Sequence, residues 1–173
     1  MFRNYALTLS VLPFLLMGEA ATAHATNSCQ PVFDALTKAA TTSSHSYTTN
    51  TAPNGTKAEA ETIIANGKKY IRVRGKWMSL PVTSQDMLEQ EKEEEEHGKS
   101  TCQLLRSESV NGEAATLYSM HREYEEITED QQIWISKGTG LPLRAEGDVD
   151  SKSNHVQQHS STRLEYGNVN PPM

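Results

Sequence analysis

The stretch DQQIWISKGTGLPLRAEGDVD, residues 130–150, predicts a β-hairpin and decides the fold. Its first run alternates, so Ile133 and Ile135 share one face of a strand while Trp134 lies on the other. A glycine-containing turn follows, and the second strand leaves through Pro142, which is tolerated near a strand start, at an edge or at a bulge. Apolar groups lie on both faces here. We therefore expect Trp134 to be substantially covered, by cavity walls or by a neighbouring segment.

Further hairpins are predicted along the chain from about residue 46 onward. Asn66-Gly67 and Asn111-Gly112 are strong hairpin turns, because both central positions of such a turn need positive φ angles. Strand-like runs flank each of these turns. Successive hairpins favour one antiparallel sheet, which must bury one of its faces against other elements.

Two segments have helical patterns. Residues 29–44, CQPVFDALTKAATTSS, bring their apolar side chains near one face at helical spacing. Residues 84–98, SQDMLEQEKEEEEHG, follow the N-cap candidate Ser84 and contain only two apolar residues, Met87 and Leu88. We expect this second helix to touch the domain only through its first turn, and the sheet to curl around the two helices.

Residues 1–25 have the pattern of a secretory signal peptide. An apolar segment, Ala6 to Met17, precedes small residues at Ala23 and Ala25 in the A-x-A arrangement. The segment is shorter than the roughly 20 residues that span a bilayer, although a retained anchor is an alternative. We therefore expect a periplasmic or secreted protein that is not an integral membrane protein once processed. Residues 26–173 are then predicted to form a single domain.

The two cysteines, Cys29 and Cys102, predict a structural disulfide, because an even count in an exported chain favours pairing. A redox or metal pair is the alternative, but the C-x-x-C spacing is missing. Such a bridge closes a long loop, and the chain-entropy model predicts that it stabilises the folded state by about 4 kcal/mol.

Composition and motifs narrow the function. The net charge of −6 argues against nucleic-acid binding. No nucleophile, phosphate-loop or zinc motif is present, so no catalytic residue, metal site or cofactor is predicted, and the protein is not expected to be an enzyme. His155 and His159 lie about 13 Å apart on a strand, too far to share one metal ion. The run Glu93 to Glu96 is interpreted as a solvated helix face.

Two segments resemble the periplasmic lipoprotein carriers and their relatives, a LolA/LolB/RseB-like superfamily. IWISKGTGLPLRAEGDVD, residues 133–150, is similar to their late hairpin, and IANGKKYIRVRGKWMSLP, residues 64–81, is similar to an earlier one. Together these segments cover about a quarter of the chain that follows residue 25. The resemblance implies an α+β fold in which a curved antiparallel sheet forms an unclosed half-barrel around two or three helices, with a hydrophobic cavity between them.

Two functions are compatible with this fold. In the first, the protein binds a lipid or another acylated, hydrophobic ligand, as a carrier or a sensor. In the second, it is a non-catalytic module that presents the acidic helix, around Glu91 to Glu96, to a basic envelope protein. Ordinary core packing is the alternative for each residue that could line the cavity. These candidates are the large apolar and aromatic side chains Trp77, Met78, Leu80, Tyr118, Met120 and Trp134.

Overall fold

The computed structural model describes residues 29–152 and 156–172, and the predicted signal peptide lies outside these ranges. Two helices and nine strands in these ranges are mostly connected by short turns. In chain order they are α1 (Gln30–Thr41), β1 (Ser44–Thr51), β2 (Lys57–Ala65), β3 (Lys68–Val73), β4 (Lys76–Thr83), α2 (Ser84–His97), β5 (Lys99–Val110), β6 (Glu113–Tyr124), β7 (Ile127–Ser136), β8 (Pro142–Ser151) and β9 (Val156–Tyr166).

All of these strands belong to one antiparallel sheet, in the order β4-β3-β2-β1-β9-β8-β7-β6-β5. Its two edges, β4 and β5, are connected in sequence by α2. The middle of the sheet joins β1 to β9, from the pair Ser44–Tyr166 to the pair Thr51–His159. The predicted α+β class, with an unclosed antiparallel sheet and helices, is confirmed.

The hairpin predictions from turn chemistry are also confirmed. Asn66 and Gly67 have φ angles of 53° and 71°, and Asn111 and Gly112 have φ angles of 52° and 86°. Pro142 is the first residue of β8, where the missing N–H group removes little from the ladder.

The start of α2 differs from the prediction. Its N-cap is Thr83 rather than Ser84, because the Thr83 hydroxyl accepts a hydrogen bond from the Asp86 amide at 3.2 Å. In return, the Asp86 carboxylate accepts one from the Thr83 amide at 2.7 Å. This capping box fixes where the helix leaves β4. No helix in the described ranges is long and apolar enough to cross a membrane.

The sheet has two distinct faces. We call the face that packs against α1 the helix side, because Ile133 and Ile135 belong to the same buried cluster as Val32 of that helix. The opposite face, which carries Trp134, is called the far side. The pairing register extends both definitions across all strands, because directly paired residues point to the same face.

Candidate functional site

The helix side of β5 to β8 is filled by α1. Val32 and Ala35 of α1 are buried among sheet residues, and Cys29, which immediately precedes the helix, forms a disulfide with Cys102 of β5. The two Cα atoms are 5.0 Å apart. The predicted bridge is therefore present, and it ties α1 to an edge strand. The sheet residues of this cluster are Cys102, Met120, Ile133 and Ile135.

Ion pairs attach helix α2 to the sheet on the helix side. Arg122 of β6 places Nη1 2.6 Å from Glu94 Oε2 and 3.9 Å from Glu91 Oε2, and its Nη2 2.7 Å from Glu129 Oε2. The side chains of Arg122 and Glu94 are each only 12% exposed. Glu94 is the buried residue of α2, so the helix contacts the sheet through its third turn and not only its first, contrary to prediction.

Three carboxylates around one guanidinium leave an excess of negative charge. Burial, followed by the nearby charge of Glu94, raises the pKa of Glu91 to about 7. Burial by itself lowers the pKa of Arg122, but the surrounding carboxylates, Glu129 first, outweigh burial and raise it. The cluster therefore holds a charged arginine together with a Glu91 carboxyl group that titrates near neutral pH.

The helix side of β2 to β4 is apolar but incompletely covered. Ile71 pairs with Met78, and the register carries both to the same face as Ile133. Met78 is 52% exposed and Val73 is 42% exposed. We call four large apolar residues of this face, each partly or fully exposed, the open apolar surface. They are Ile64, Ile71, Val73 and Met78.

Trp134 lies on the far side and is covered there, as predicted. It is 6% exposed and packs against Ala115 and Leu117. The guanidinium of Arg144 lies 4.8 Å from the centre of its ring, and the indole N–H donates to the Glu108 carboxylate. The indole N–H and one face of the ring thus have protein partners, which is typical of a structural tryptophan.

A second far-side feature is a cavity of about 780 Å³ over β5 to β9, lined by polar and apolar residues. Two His–Asp pairs lie along it: His121 Nδ1 is 2.7 Å from Asp130 Oδ1, and His159 Nδ1 is 2.9 Å from Asp148 Oδ1. Hydrogen bonds to these aspartates raise the pKa of both histidines. The neutral polar residues that line the cavity are Thr101, Gln103, Ser119, Gln131 and Gln132.

The structure divides the six predicted cavity residues between the two faces. Tyr118 and Met120 lie on the helix side, where Met120 is buried in the core, and Met78 belongs to the open apolar surface. Trp77, which contacts the His45 ring edge-on, shares the far side with Trp134. Leu80 is partly buried in β4, within the register shift between β3 and β4. The six residues therefore do not form one continuous wall, and contact with a ligand stays a prediction for each.

Sequence reasoning missed the Arg122 cluster. The interpretation of Glu93 to Glu96 as a wholly solvated face is wrong at Glu94, which is buried against Arg122. A signal was present, because Arg122 continues the alternation of Tyr118 and Met120 and so falls on an otherwise apolar face. A charged residue at such a position needs a partner.

The His–Asp pairs were missed because alternation alone does not give the register of neighbouring strands, although the partners are only 9 and 11 residues apart. His159 was considered only with His155, which lies outside the described residues. In the described part of the chain, no three His, Cys, Asp or Glu side chains are grouped so that they could hold a metal ion.

Comparison with known proteins gives similarity in structure only. No protein-family model matches the sequence, and no curated protein matches it. Among solved structures, the chain is similar to MucB in its complex with MucA(peri), at 14% identity and a TM-score of 0.49. That match covers 83% of this chain and 57% of the MucB chain, so this chain spans little more than half of its length.

Two shorter solved proteins match over nearly their whole length. LprF from Mycobacterium bovis is 10% identical with a TM-score of 0.44, covering 85% of this chain and 98% of its own. The LolA superfamily protein NE2245 from Nitrosomonas europaea is 9% identical with a TM-score of 0.33. That match covers 83% of this chain and 95% of the NE2245 chain. These likenesses concern the fold, which agrees with the resemblance of the two hairpins.

Proposed function

We propose that the protein is an exported, non-catalytic binding protein, a carrier or a sensor, that holds a hydrophobic or lipid-like ligand on the helix side of its sheet. One observation carries the proposal. Helix α1 fills the helix side of β5 to β8, whereas the open apolar surface on β2 to β4 is left incompletely covered. Adjacent exposed apolar side chains of this kind are typical of binding sites.

Helix α2 is attached to the sheet mainly through polar contacts. No apolar residue of α2 is buried, and its contacts with the sheet centre on Arg122. Its two apolar residues, Met87 and Leu88, are partly buried. A ligand that covers the open apolar surface gains roughly 25 cal/mol for each Å² of apolar area removed from water. Export to an oxidising compartment, periplasmic or extracellular, is supported by the Cys29–Cys102 disulfide.

The ligand can be sought by native mass spectrometry of the purified protein before and after extraction with organic solvent. A co-purified lipid whose mass disappears on extraction supports the proposal. The extracted protein is then titrated with a fluorescent fatty acid, using Met78→Glu as the test variant and Ser79→Glu as the matched control on the opposite face of the same strand.

A buried carboxylate in the ligand wall is expected to weaken binding by about tenfold or more, since an unpaired charge is costly to desolvate. Ser79→Glu should bind as the native chain does. Equal affinities for all three proteins, or no binding by any of them, would contradict a ligand at the open apolar surface.

The second candidate function is binding of a basic envelope protein by α2. Glu91 and Glu94 face Arg122, but Glu89, Glu93 and Glu96 remain exposed on the same helix. This exposed acidic row predicts salt-dependent binding of a basic segment, with no co-purified lipid. A pull-down at low and high salt, repeated with Glu93→Gln and Glu96→Gln combined, separates this function from lipid binding.

A further inference from the structure

Four titratable side chains form a row across four neighbouring strands on the far side. The register pairs His121 of β6 with Asp130 of β7, Asp130 with Asp148 of β8, and Asp148 with His159 of β9. The order along the row is therefore His–Asp–Asp–His. The two central carboxylates are direct cross-strand neighbours, an arrangement that is unfavourable when both are charged and uncompensated.

We propose that this row is a pH-dependent strap across β6 to β9: protonated His121 and His159 compensate the opposed aspartates, and loss of their protons loosens the pairing of β7 with β8. The device lies on the opposite face from the proposed ligand surface and does not depend on it. Its components are the two His–Asp contacts, at 2.7 Å and 2.9 Å, and the register that places Asp130 against Asp148.

The surroundings of the row are more acidic than basic. Glu123 lies 3.5 Å from the second ring nitrogen of His121, and Glu146 lies 3.5 Å from that of His159. The row ends at neutral residues, Thr101 of β5 and Thr51 of β1. Three further charged residues lie next to the row on the same face. Lys57 of β2 pairs with Thr51, Lys99 of β5 lies two residues before Thr101, and Asp150 of β8 lies two residues after Asp148.

The sign of the effect follows from the histidines. Hydrogen bonding to Asp130 and to Asp148 raises the pKa of His121 and His159, respectively, above that of an unfolded chain. A group with a raised pKa contributes stability that is complete below its unfolded value and is lost as the pH rises through its folded value. The strap is therefore closed at mildly acidic pH and weakened at mildly alkaline pH.

Gly147 makes this part of the sheet sensitive to the strap. It is the glycine that lies inside a described strand, and a Cβ atom there would meet the Asp130 carbonyl oxygen at 2.0 Å. The backbones of β7 and β8 therefore approach closely beside the paired aspartates. Glycine also adds conformational freedom to β8 at this point. Gly147 has no side chain, so the side-chain contacts between β7 and β8 at this point come from its neighbours, Asp148 among them.

Hydrogen exchange of residues 144–150 in the whole chain, corrected for intrinsic exchange rates, tests the strap. Between about pH 5.5 and about pH 8.5, the opening equilibrium of this segment should rise by a factor of about two to five in the native protein. The combined variant His121→Gln and His159→Gln should show the higher opening at both pH values. His97→Gln, an exposed histidine at the end of α2, is the control and should behave as the native protein.

The isosteric variant Asp148→Asn tests the repulsion itself. With one carboxylate removed, opening at the higher pH should fall to the value that the native protein has at the lower pH. The proposal is overturned if the native segment opens equally at both pH values or if the double glutamine variant keeps the native pH dependence. It is equally overturned if Asp148→Asn opens as much as the native protein at the higher pH.

Discussion

Replacing Glu91 with glutamine should stabilise the protein at alkaline pH and change little at acidic pH. In the folded chain, Glu91 is enclosed beside Glu94 and Glu129, with Arg122 Nη1 3.9 Å away, and its pKa is raised from 4.5 to about 7. Because the folded pKa lies above the unfolded one, stability is complete below about pH 4.5 and is lost as the pH rises to about 7. Glutamine keeps the shape of the side chain and removes this titration.

The magnitude follows from the size of the shift. A rise from 4.5 to about 7 corresponds to about 3 kcal/mol of lost stability once the group is fully ionised. The Glu91 side chain is 28% exposed, so solvent screening lowers the expected gain for Glu91→Gln to about 2 kcal/mol at alkaline pH.

Urea unfolding of the two proteins across the range from about pH 5 to about pH 8.5 measures this difference. The exposed neighbour Glu93→Gln, on the same helix, controls for removing one negative charge and should run parallel to the native protein. If the stability of Glu91→Gln also parallels that of the native protein at every pH, the three-carboxylate account of the Arg122 cluster is wrong.

Three further predictions concern single structural features. Trp134→Ala should lower the free energy of unfolding by about 3 kcal/mol or more because the ring is 6% exposed, while fatty-acid binding per folded molecule should stay unchanged because the ring lies on the far side; calorimetry and titration check the two parts. Gly147→Ala should lower the melting temperature and reduce the free energy of unfolding by about 1–3 kcal/mol or more, because the added Cβ would lie 2.0 Å from the backbone of Asp130. In contrast, Gly138→Ala, whose nearest contact is 3.8 Å away, should have little effect. Replacing Cys29 and Cys102 with serine should cost about 4 kcal/mol in urea unfolding, since the bridge spans 73 residues; an unchanged midpoint would show that the unfolded chain gains no freedom.

Local signals in the sequence were sufficient for most of the elements. The Asn-Gly pairs at 66–67 and 111–112 require positive φ angles at both positions, which fixes two hairpins without knowledge of the rest of the chain. The helical spacing in α1 and the alternation of Ile133 and Ile135 around Trp134 are local in the same sense. The disulfide was predictable because only two cysteines are present.

Contacts between distant segments were not predictable in this way. The sequence around Arg122 does not indicate that Glu94 is its partner, and the composition of α2 alone predicts a solvated acidic run. The pairing of Asp130 with Asp148 depends on the register across a hairpin that contains a shift after Trp134. The division of Trp77 and Met78 between opposite faces was visible in the alternation, but which face meets the helices depends on the whole sheet.

The junction of β1 and β9 has a consequence for how the chain folds. Ser44 pairs with Tyr166, so this ladder closes a loop of roughly 120 residues, whereas nearly all other neighbouring strands are joined by short turns. When the chain is synthesised from its N-terminus, β1 to β4 and then β5 to β8 are complete before β9 is made. During that time one edge of β1 has no neighbouring strand. The Cys29–Cys102 bond can form in that interval and keep the two halves together. The last strand to be made is thus the one that joins the sheet, and any nascent chain that lacks it exposes the edge of β1 to other molecules.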